Sequence, residues 1–358
     1  MENRIQLRIR ERIPETDRAT TLLLEPLDVA MSYQAGQFIT LIFRRFGAKE
    51  LRRSYSFSAT PGVDQWPAIT VKKIPNGRVS RYLADQVREG DVLEAIPPAG
   101  QFLLPPTKAA ARDVVLIGGG SGIAPLYAIL KQALQEEPHS CITLILANSN
   151  EQEIIFRRQL RILAQRFPTR LQIIHLLSTT SVPLQALQAQ EAPAQIRVQR
   201  LSNELVQQLV DEHFKYEAQH ADFFLCGPKN LMLKASQMLR YMQFGATQIH
   251  QEIFDIVTPH RPQAAAYPNS MAHIRLRGQE FCIPVKAGET ILEAAGRAGV
   301  ELPYSCRSGI CTACKAKHRG GEVEMFIYSG TITTRESDGI IFTCVGYPLT
   351  ETVSLEIG

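Results

Sequence analysis

The segment Tyr304-Ser305-Cys306-Arg307-Ser308-Gly309-Ile310-Cys311-Thr312-Ala313-Cys314-Lys315 holds three cysteines separated by four and then two residues, and a fourth follows at Cys344. This is the spacing with which four thiolates hold a 2Fe-2S cluster. The chemistry asks for it. A tight loop must wrap three sulfurs around a compact anionic centre while backbone N–H groups point at its sulfides, so small residues are wanted where the chain passes closest. Ser308, Gly309, Thr312 and Ala313 supply them. A structural zinc site would show short paired spacings on both halves, and here only one half has them. A disulfide framework fits less well, because seven cysteines is an odd number in a long chain without a secretory signal. The metal ligands expected are Cys306, Cys311, Cys314 and Cys344. Such a cluster moves one electron at a time, so the remaining sequence should reveal where electrons enter and leave.

The chain has 358 residues, enough for two or three domains with sizeable cores. Its apolar fraction of 45% suits globular folding, and a net charge of +4 is too small at this length to argue for nucleic acid or an anionic membrane. The start, Met1-Glu2-Asn3-Arg4-Ile5-Gln6-Leu7-Arg8, alternates charged and apolar residues and lacks the apolar core of a signal peptide. No run approaches the ~18 consecutive apolar residues of a membrane span. The expectation is a cytoplasmic protein with reduced cysteines.

Short alternating strands broken by turns fill residues 4–106, at 5–10, 20–25, 37–43, 53–57, 68–73 and 91–96, as in an antiparallel barrel. Arg53-Ser54-Tyr55-Ser56 places a bidentate phosphate ligand, an aromatic plate and a hydroxyl on one strand. Gly77-Arg78-Val79-Ser80 follows as a glycine-led turn opening a helix, whose free N–H groups suit a pyrophosphate. By themselves these residues read equally well as a barrel-core tyrosine and an exposed rim charge.

A buried parallel strand is expected at 113–117, followed directly by Gly118-Gly119-Gly120-Ser121-Gly122-Ile123-Ala124-Pro125 and a helix over 126–135. Strand, glycine turn and helix in that order are what a dinucleotide site requires, since glycines let backbone amides approach the pyrophosphate. Strands and helices then alternate at 141–147, 154–165, 171–177, 202–211, 222–225 and 231–244, giving a parallel sheet with helical crossovers. Residues 179–200, rich in Gln, Ala and Pro, read as a variable excursion. Cys226-Gly227-Pro228 closes one strand at the sheet's carboxyl edge, where ligands bind, and residues 252–254 end the last strand. The strand over 141–147 runs into Asn148-Ser149-Asn150, with no acid there to hold a ribose 2′-hydroxyl. Ser149, Arg157 and Arg158 stand nearby as phosphate contacts, although the arginines read equally as solvated helix charges, and the balance leans to NADPH.

Taken together, these motifs resemble the ferredoxin-NADP reductase superfamily: Arg53-Ser54-Tyr55-Ser56 with Gly77 to Ser80 its flavin barrel, and Gly120, Gly122 and Pro125 with Cys226-Gly227-Pro228 its nicotinamide domain. The resemblance implies that Arg53 binds flavin phosphate, that Tyr55 packs on the isoalloxazine and that Ser56 bonds the flavin near its hydride-accepting nitrogen. It also implies that Val71 lies on the strand along the ring, and that Gly77, Val79 and Ser80 form the pyrophosphate turn. Cys226, Gly227 and Pro228 would position the nicotinamide, Phe254 would shield the far flavin face, and Glu252 could reach the ring region. Ser56 and Cys226 are the catalytic candidates; FAD is favoured over FMN by the helix-opening turn.

Residues 255–271, with Pro259, Pro262 and Pro268, read as a linker of moderate stiffness. Beyond it, strands at 273–277, 280–285 and 352–357, a helix over 290–298 and the cysteine loop resemble a plant-type ferredoxin β-grasp domain. The expected architecture is thus an antiparallel FAD-binding barrel over 1–110, a parallel-sheet NAD(P)-binding domain over 111–254, the linker, and a 2Fe-2S domain over 272–358. This order resembles the reductase components of multicomponent oxygenases. A protein electron acceptor is implied: a di-iron oxygenase, an aromatic-ring or steroid hydroxylase, or a hybrid-cluster or haem protein. Free ferredoxins of this type are acidic, yet residues 272–358 hold nine Lys or Arg against ten Asp or Glu, as expected where tethering replaces electrostatic steering. Cys141, Cys282 and Trp66 read as packing residues.

Overall fold

The computed structural model describes residues 4–27, 31–44, 46, 50–105, 107, 111–254, 266–304, 307, 309, 313–327, 330–334 and 339–357. Most of the expected linker, together with Cys306 and Cys311, lies outside them. The chain divides into two compact units, the first of residues 3–51 and 55–255 and the second chiefly of residues 256–358, with Arg52–Ser54 counted in the second.

The first unit opens with strands β1 (Ile5–Thr16), β2 (Ala19–Pro26), β3 (Phe38–Phe43), β4 (Leu51–Ser56), β5 (Ala68–Lys72) and β6 (Val92–Ala99). They form one sheet in the order β4-β3-β6-β1-β2-β5. An antiparallel bridge between Phe57, just past β4, and Ile69 of β5 joins its two edges and curls it into a barrel. Alternation decides what faces inward. Leu7, Ile9, Leu22, Leu24, Ile69 and Val71 are fully buried in its core, while Thr70 and Lys72 point from the opposite face of β5. Helix α1 (Arg78–Arg81), capped by Gly77, continues as one wider turn to Gln86.

Parallel strands follow as β7 (Asp113–Gly119), β8 (Cys141–Asn148), β9 (Leu171–Leu177), β10 (Gln195–Arg197), β11 (Ala221–Cys226) and β12 (Ile249–Glu252). Their order is β10-β9-β8-β7-β11-β12, so the winding reverses at β7 and β11. Helices α2 (Ile123–Glu136), α3 (Arg157–Arg166), α4 (Leu184–Glu191), α5 (Asn203–His213) and α6 (Lys229–Tyr241) connect them. Separate apolar cores, one containing Leu116, Leu126 and Ile129 and the other Ile117, Val206 and Met232, cover the sheet. Burial of all of β7 explains its unbroken apolar run.

Residues 179–200, the excursion expected before the next helix, carry secondary structure of their own. They form α4 and the edge strand β10, held by a small core of Ile154, Leu177, Leu187 and Ile196. The helix expected from 154 begins instead at Arg157, because Ile154, Ile155 and Phe156 are buried in a preceding turn and Phe156 has φ of 61°.

The second unit contains β13 (Ser270–Leu276), β14 (Gln279–Val285), α7 (Ile291–Arg297), β15 (Lys315–Gly320), β16 (Val323–Ile327), β17 (Gly330–Thr334), β18 (Ile340–Phe342), β19 (Gly346–Pro348) and β20 (Thr352–Ile357). Its sheets run β14-β13-β20-β15-β18 and β17-β16-β19. A reciprocal cap fixes the start of α7: Thr290 Oγ1 accepts from Glu293 N at 3.1 Å, and Glu293 Oε2 from Thr290 N at 3.2 Å. The helix buries Ile291, Leu292, Ala294 and Ala295 against the sheet. Cys282 proves to be exposed, because alternation along β14 buries Ile283 and Val285 instead. Trp66 is half-buried beneath the Arg10 guanidinium, 4.4 Å from its ring centroid, and Cys141 is likewise half-buried. No helix among the described residues is long and apolar enough to cross a membrane.

Candidate active site

The barrel and the parallel sheet meet at Ser56, which ends β4 and is buried. Its hydroxyl donates to Glu252 Oε2 at 3.1 Å. Glu252 is the last residue of β12 and lies directly beside Cys226, the last of β11, which is paired on its other side with Gly118 of β7. Three parallel strands therefore deliver a carboxyl, a thiol and a glycine turn to one edge, at the point where the winding reverses. Burial raises the pKa of the Glu252 carboxyl to about 8, partly opposed by the Ser56 hydrogen bond. It also pushes the Cys226 thiol well up, with the Glu252 charge adding to the effect. Cys226 is consequently a neutral thiol at physiological pH and no thiolate nucleophile.

The turns at Gly118–Gly122 and Cys226–Pro228 interlock backbone to backbone. A Cβ on Gly122 would stand 2.1 Å from the Cys226 carbonyl oxygen, and one on Gly227 would stand 2.8 Å from Gly119 N. Pro125 is buried in the first turn of α2, where a missing N–H costs nothing. Pro228 precedes α6 in the same way. Gly122→Ala is expected to force these turns apart, destabilise the protein by about 2 kcal/mol or more and abolish nicotinamide-dependent flavin reduction; thermal melts and anaerobic reduction would measure both.

Lys72, not among the residues singled out in the sequence, reaches the same place from the barrel. Its Nζ pairs with Glu153 at 2.7 Å and would lie 3.8 Å from a Cβ on Gly120. A cation thus stands beside the Gly118–Gly122 turn. Parity along β5 was the available signal: Val71 points into the barrel core, so Lys72 must point away.

The residues expected to hold a flavin divide into side chains and backbone. Arg53 and Tyr55 are half-buried on β4, with Arg53 Nη1 donating to the Arg52 carbonyl at 2.7 Å. Val71 and Val79 bury their side chains in the barrel, leaving only their main chain for a ligand. Ser80 Oγ accepts from Ile74 N at 3.3 Å and holds the turn beside Gly77. A cavity of about 520 Å³ adjoins that turn, lined by Arg18, Lys73, Ile74, Pro75, Arg81 and Asp85. Three cations against one acid fit the diphosphate and nucleotide end of a dinucleotide flavin. Phe254 lies two residues beyond β12 and is 40% exposed.

Two of the four cysteines expected to hold a cluster are described. Cys314 and Cys344 are buried, and their sulfurs approach to 3.2 Å, beyond the ~2.05 Å of a covalent bridge. Thr343 binds them together, its N–H and hydroxyl donating to the Cys314 carbonyl at 3.1 and 3.3 Å. Gly309 has φ of 72°, the left-handed conformation a tight loop needs there. Convergent buried thiols of this kind fit an iron-sulfur cluster.

Family models match three stretches of the chain: an oxidoreductase FAD-binding domain residues 4–103, an oxidoreductase NAD-binding domain 116–237, and a 2Fe-2S iron-sulfur cluster binding domain 274–349. Fold and site together define an NAD(P)H oxidoreductase carrying FAD, nicotinamide and 2Fe-2S sites. The chain belongs to the ferredoxin-NADP reductase superfamily, in the branch of oxygenase reductase components with a C-terminal 2Fe-2S domain. It is 32% identical to a subunit of the 1,2-phenylacetyl-CoA epoxidase of Escherichia coli (strain K12), covering 96% of this chain and 94% of that protein. It is 30% identical to the ferredoxin reductase component of 3-ketosteroid-9-alpha-monooxygenase of Rhodococcus rhodochrous, over 91% and 88% of the two chains. Among solved structures, phthalate dioxygenase reductase shares the fold with a TM-score of 0.58 at 21% identity, covering 99% of this chain and 98% of that one.

Proposed function

We propose that this chain is the reductase of a phenylacetyl-CoA epoxidase-like system, taking electrons from NADPH and delivering them to a di-iron oxygenase component in the cytoplasm. The observation that carries the reductase reading is the meeting of Ser56 with Glu252 beside Cys226. When bound, the nicotinamide supplies a hydride, the flavin divides its electron pair, and the cluster carries single electrons onward. The protein's residues bind and orient. Arg53 holds the flavin phosphate, and the Gly77, Val79 and Ser80 main chain takes the diphosphate. Tyr55 covers one flavin face and Phe254 the other. Ser56 bonds the ring near its hydride-accepting edge, and Cys226 with Gly227 and Pro228 seats the nicotinamide. Gly120, Gly122 and Pro125 shape the turn for its diphosphate, with Lys72 opposite.

The preference for NADPH draws support from Glu151, the first acid past β8. Its carboxylate is buried and turned inward, accepting from Ser181 N at 3.1 Å, so it does not confront a 2′-phosphate. Arg157 is committed to the buried Glu191 at 2.7 Å, which leaves Ser149 and Arg158 as the phosphate contacts. The phenylacetyl-CoA assignment rests on the full-length likeness to the Escherichia coli protein and on the order of the three domains.

The test mixes the purified protein, NADPH or NADH, and a reconstituted phenylacetyl-CoA di-iron oxygenase, following nicotinamide oxidation with and without phenylacetyl-CoA. Oxidation that needs every component and yields epoxide is expected, faster with NADPH. If artificial acceptors are reduced but no epoxide forms, the phenylacetyl-CoA acceptor falls and a 3-ketosteroid hydroxylase becomes the next partner to try.

A further inference from the structure

The strand that delivers Ser56 does not stop there. It continues through Phe57, Ser58, Ala59 and Thr60, a run that is buried throughout, and ties itself to α2, the helix that the nicotinamide turn opens. Thr60 Oγ1 donates to the Ala128 carbonyl at 2.8 Å. Lys131, one turn further along α2, donates from Nζ to the Ser58 carbonyl at 3.0 Å and forms an ion pair with Asp64. Asp64 in turn accepts from Thr60 N at 2.6 Å. The Lys131 ammonium also lies over the Tyr127 ring, 4.3 Å from its centroid. Its side chain is only 8% exposed. Burial lowers the Lys131 pKa, while the Asp64 charge and hydrogen bond hold it up.

A buried lysine this far from the chemistry is costly unless the pairing does something. Here it connects the segment two residues beyond Ser56 to the helix that begins at Ile123, just after Gly122. Resting on the reductase reading above, we propose that Lys131 is a positioning residue for hydride transfer, fixing the register between the flavin strand and the nicotinamide turn. It touches neither cofactor. Hydride transfer removes two electrons and one hydrogen together from the nicotinamide and delivers them to the flavin, so the donor and acceptor atoms must be held near contact. A displacement of about 1 Å costs up to ~100-fold in such a step.

The experiment is anaerobic stopped-flow reduction of the FAD-loaded full-length protein at rising NADPH, comparing Lys131→Met, Lys131→Arg and Asp64→Asn with the unsubstituted chain. For Lys131→Met the limiting rate is expected to fall by about ten- to a hundredfold, with the apparent Kd for NADPH changing less than about threefold. With nicotinamide deuterated at the transferred position, the isotope effect should persist or grow, marking hydride transfer as the slowed step. Lys131→Arg should restore most of the rate. A limiting rate unchanged in Lys131→Met, a loss confined to Kd, or no rescue by arginine would each overturn the proposal. If Lys131→Met does not retain flavin, Asp64→Asn decides: a slowed limiting rate at normal flavin content upholds the latch, an unaltered one removes it. Failure of the unsubstituted protein to be reduced by NADPH or NADH would instead bring down the reductase reading itself.

Discussion

With Cys344→Ser, the visible absorption of the iron-sulfur centre is expected to vanish and delivery of electrons to a protein acceptor to drop by about 100-fold, while NADPH-driven ferricyanide reduction stays within about twofold. The split follows from where the residue sits. Cys344 is buried opposite Cys314 in the second unit, whose core is its own, built from residues such as Ala272, Ile283, Leu292 and Val353. Ser56, Cys226 and Glu252 lie in the first unit, so nicotinamide oxidation should not feel the loss. Serine keeps the size of cysteine but offers a hydroxyl in place of a thiolate. Cys314→Ser should behave alike, and its Thr343 contacts, which are to main chain, should survive. Equal loss of ferricyanide and protein-acceptor activity would show that the cluster domain supports the flavin site structurally, contrary to this account.

Glu252→Gln is expected to remove a pH dependence of stability. The folded pKa is raised to about 8 from the ordinary 4.5, so the native protein retains a proton that the unfolded chain gives up. Stability from this group is complete below about pH 4.5 and is lost as pH rises through about 8. At about 1.4 kcal/mol per pKa unit, the loss is on the order of a few kcal/mol. Glutamine keeps the acceptor for Ser56 and never ionises. Thermal melts followed by flavin release between pH 5 and 9 should show the wild-type midpoint falling on the alkaline side while Glu252→Gln stays flat. Parallel curves would mean that Glu252 is already ionised in the native state.

What could be read in the sequence was whatever is local. The cysteine loop, the glycine turn and the Cys226-Gly227-Pro228 corner each place their requirement on neighbouring residues, since close backbone approach and ligand spacing are short-range demands. The pairing of Glu252 with Ser56, and Lys131 altogether, were obscure for the opposite reason: the partners, Ser56, Ser58 and Asp64, are remote in sequence, and a buried lysine in an amphipathic helix looks like an exposed one. The short strands between Lys315 and Pro348 also escaped, because three to six residues with mixed polarity carry too little periodicity. Cys282 was misjudged although parity with Ile283 and Val285 was available to assign it to the outer face.

The pairing of β13 with β20 bears on the order of events during synthesis. These strands lie side by side and parallel, Met271 opposite Thr352 and Leu276 opposite Ile357, although about 80 residues separate them. β20 is central in its sheet, flanked by β13 and β15. All four cysteines therefore leave the ribosome before the strand that completes their scaffold. Iron and sulfide delivery to this chain must therefore wait for the finished sheet or act upon an unfinished one, whereas the barrel, whose six strands all precede Gly100, leaves the ribosome long before.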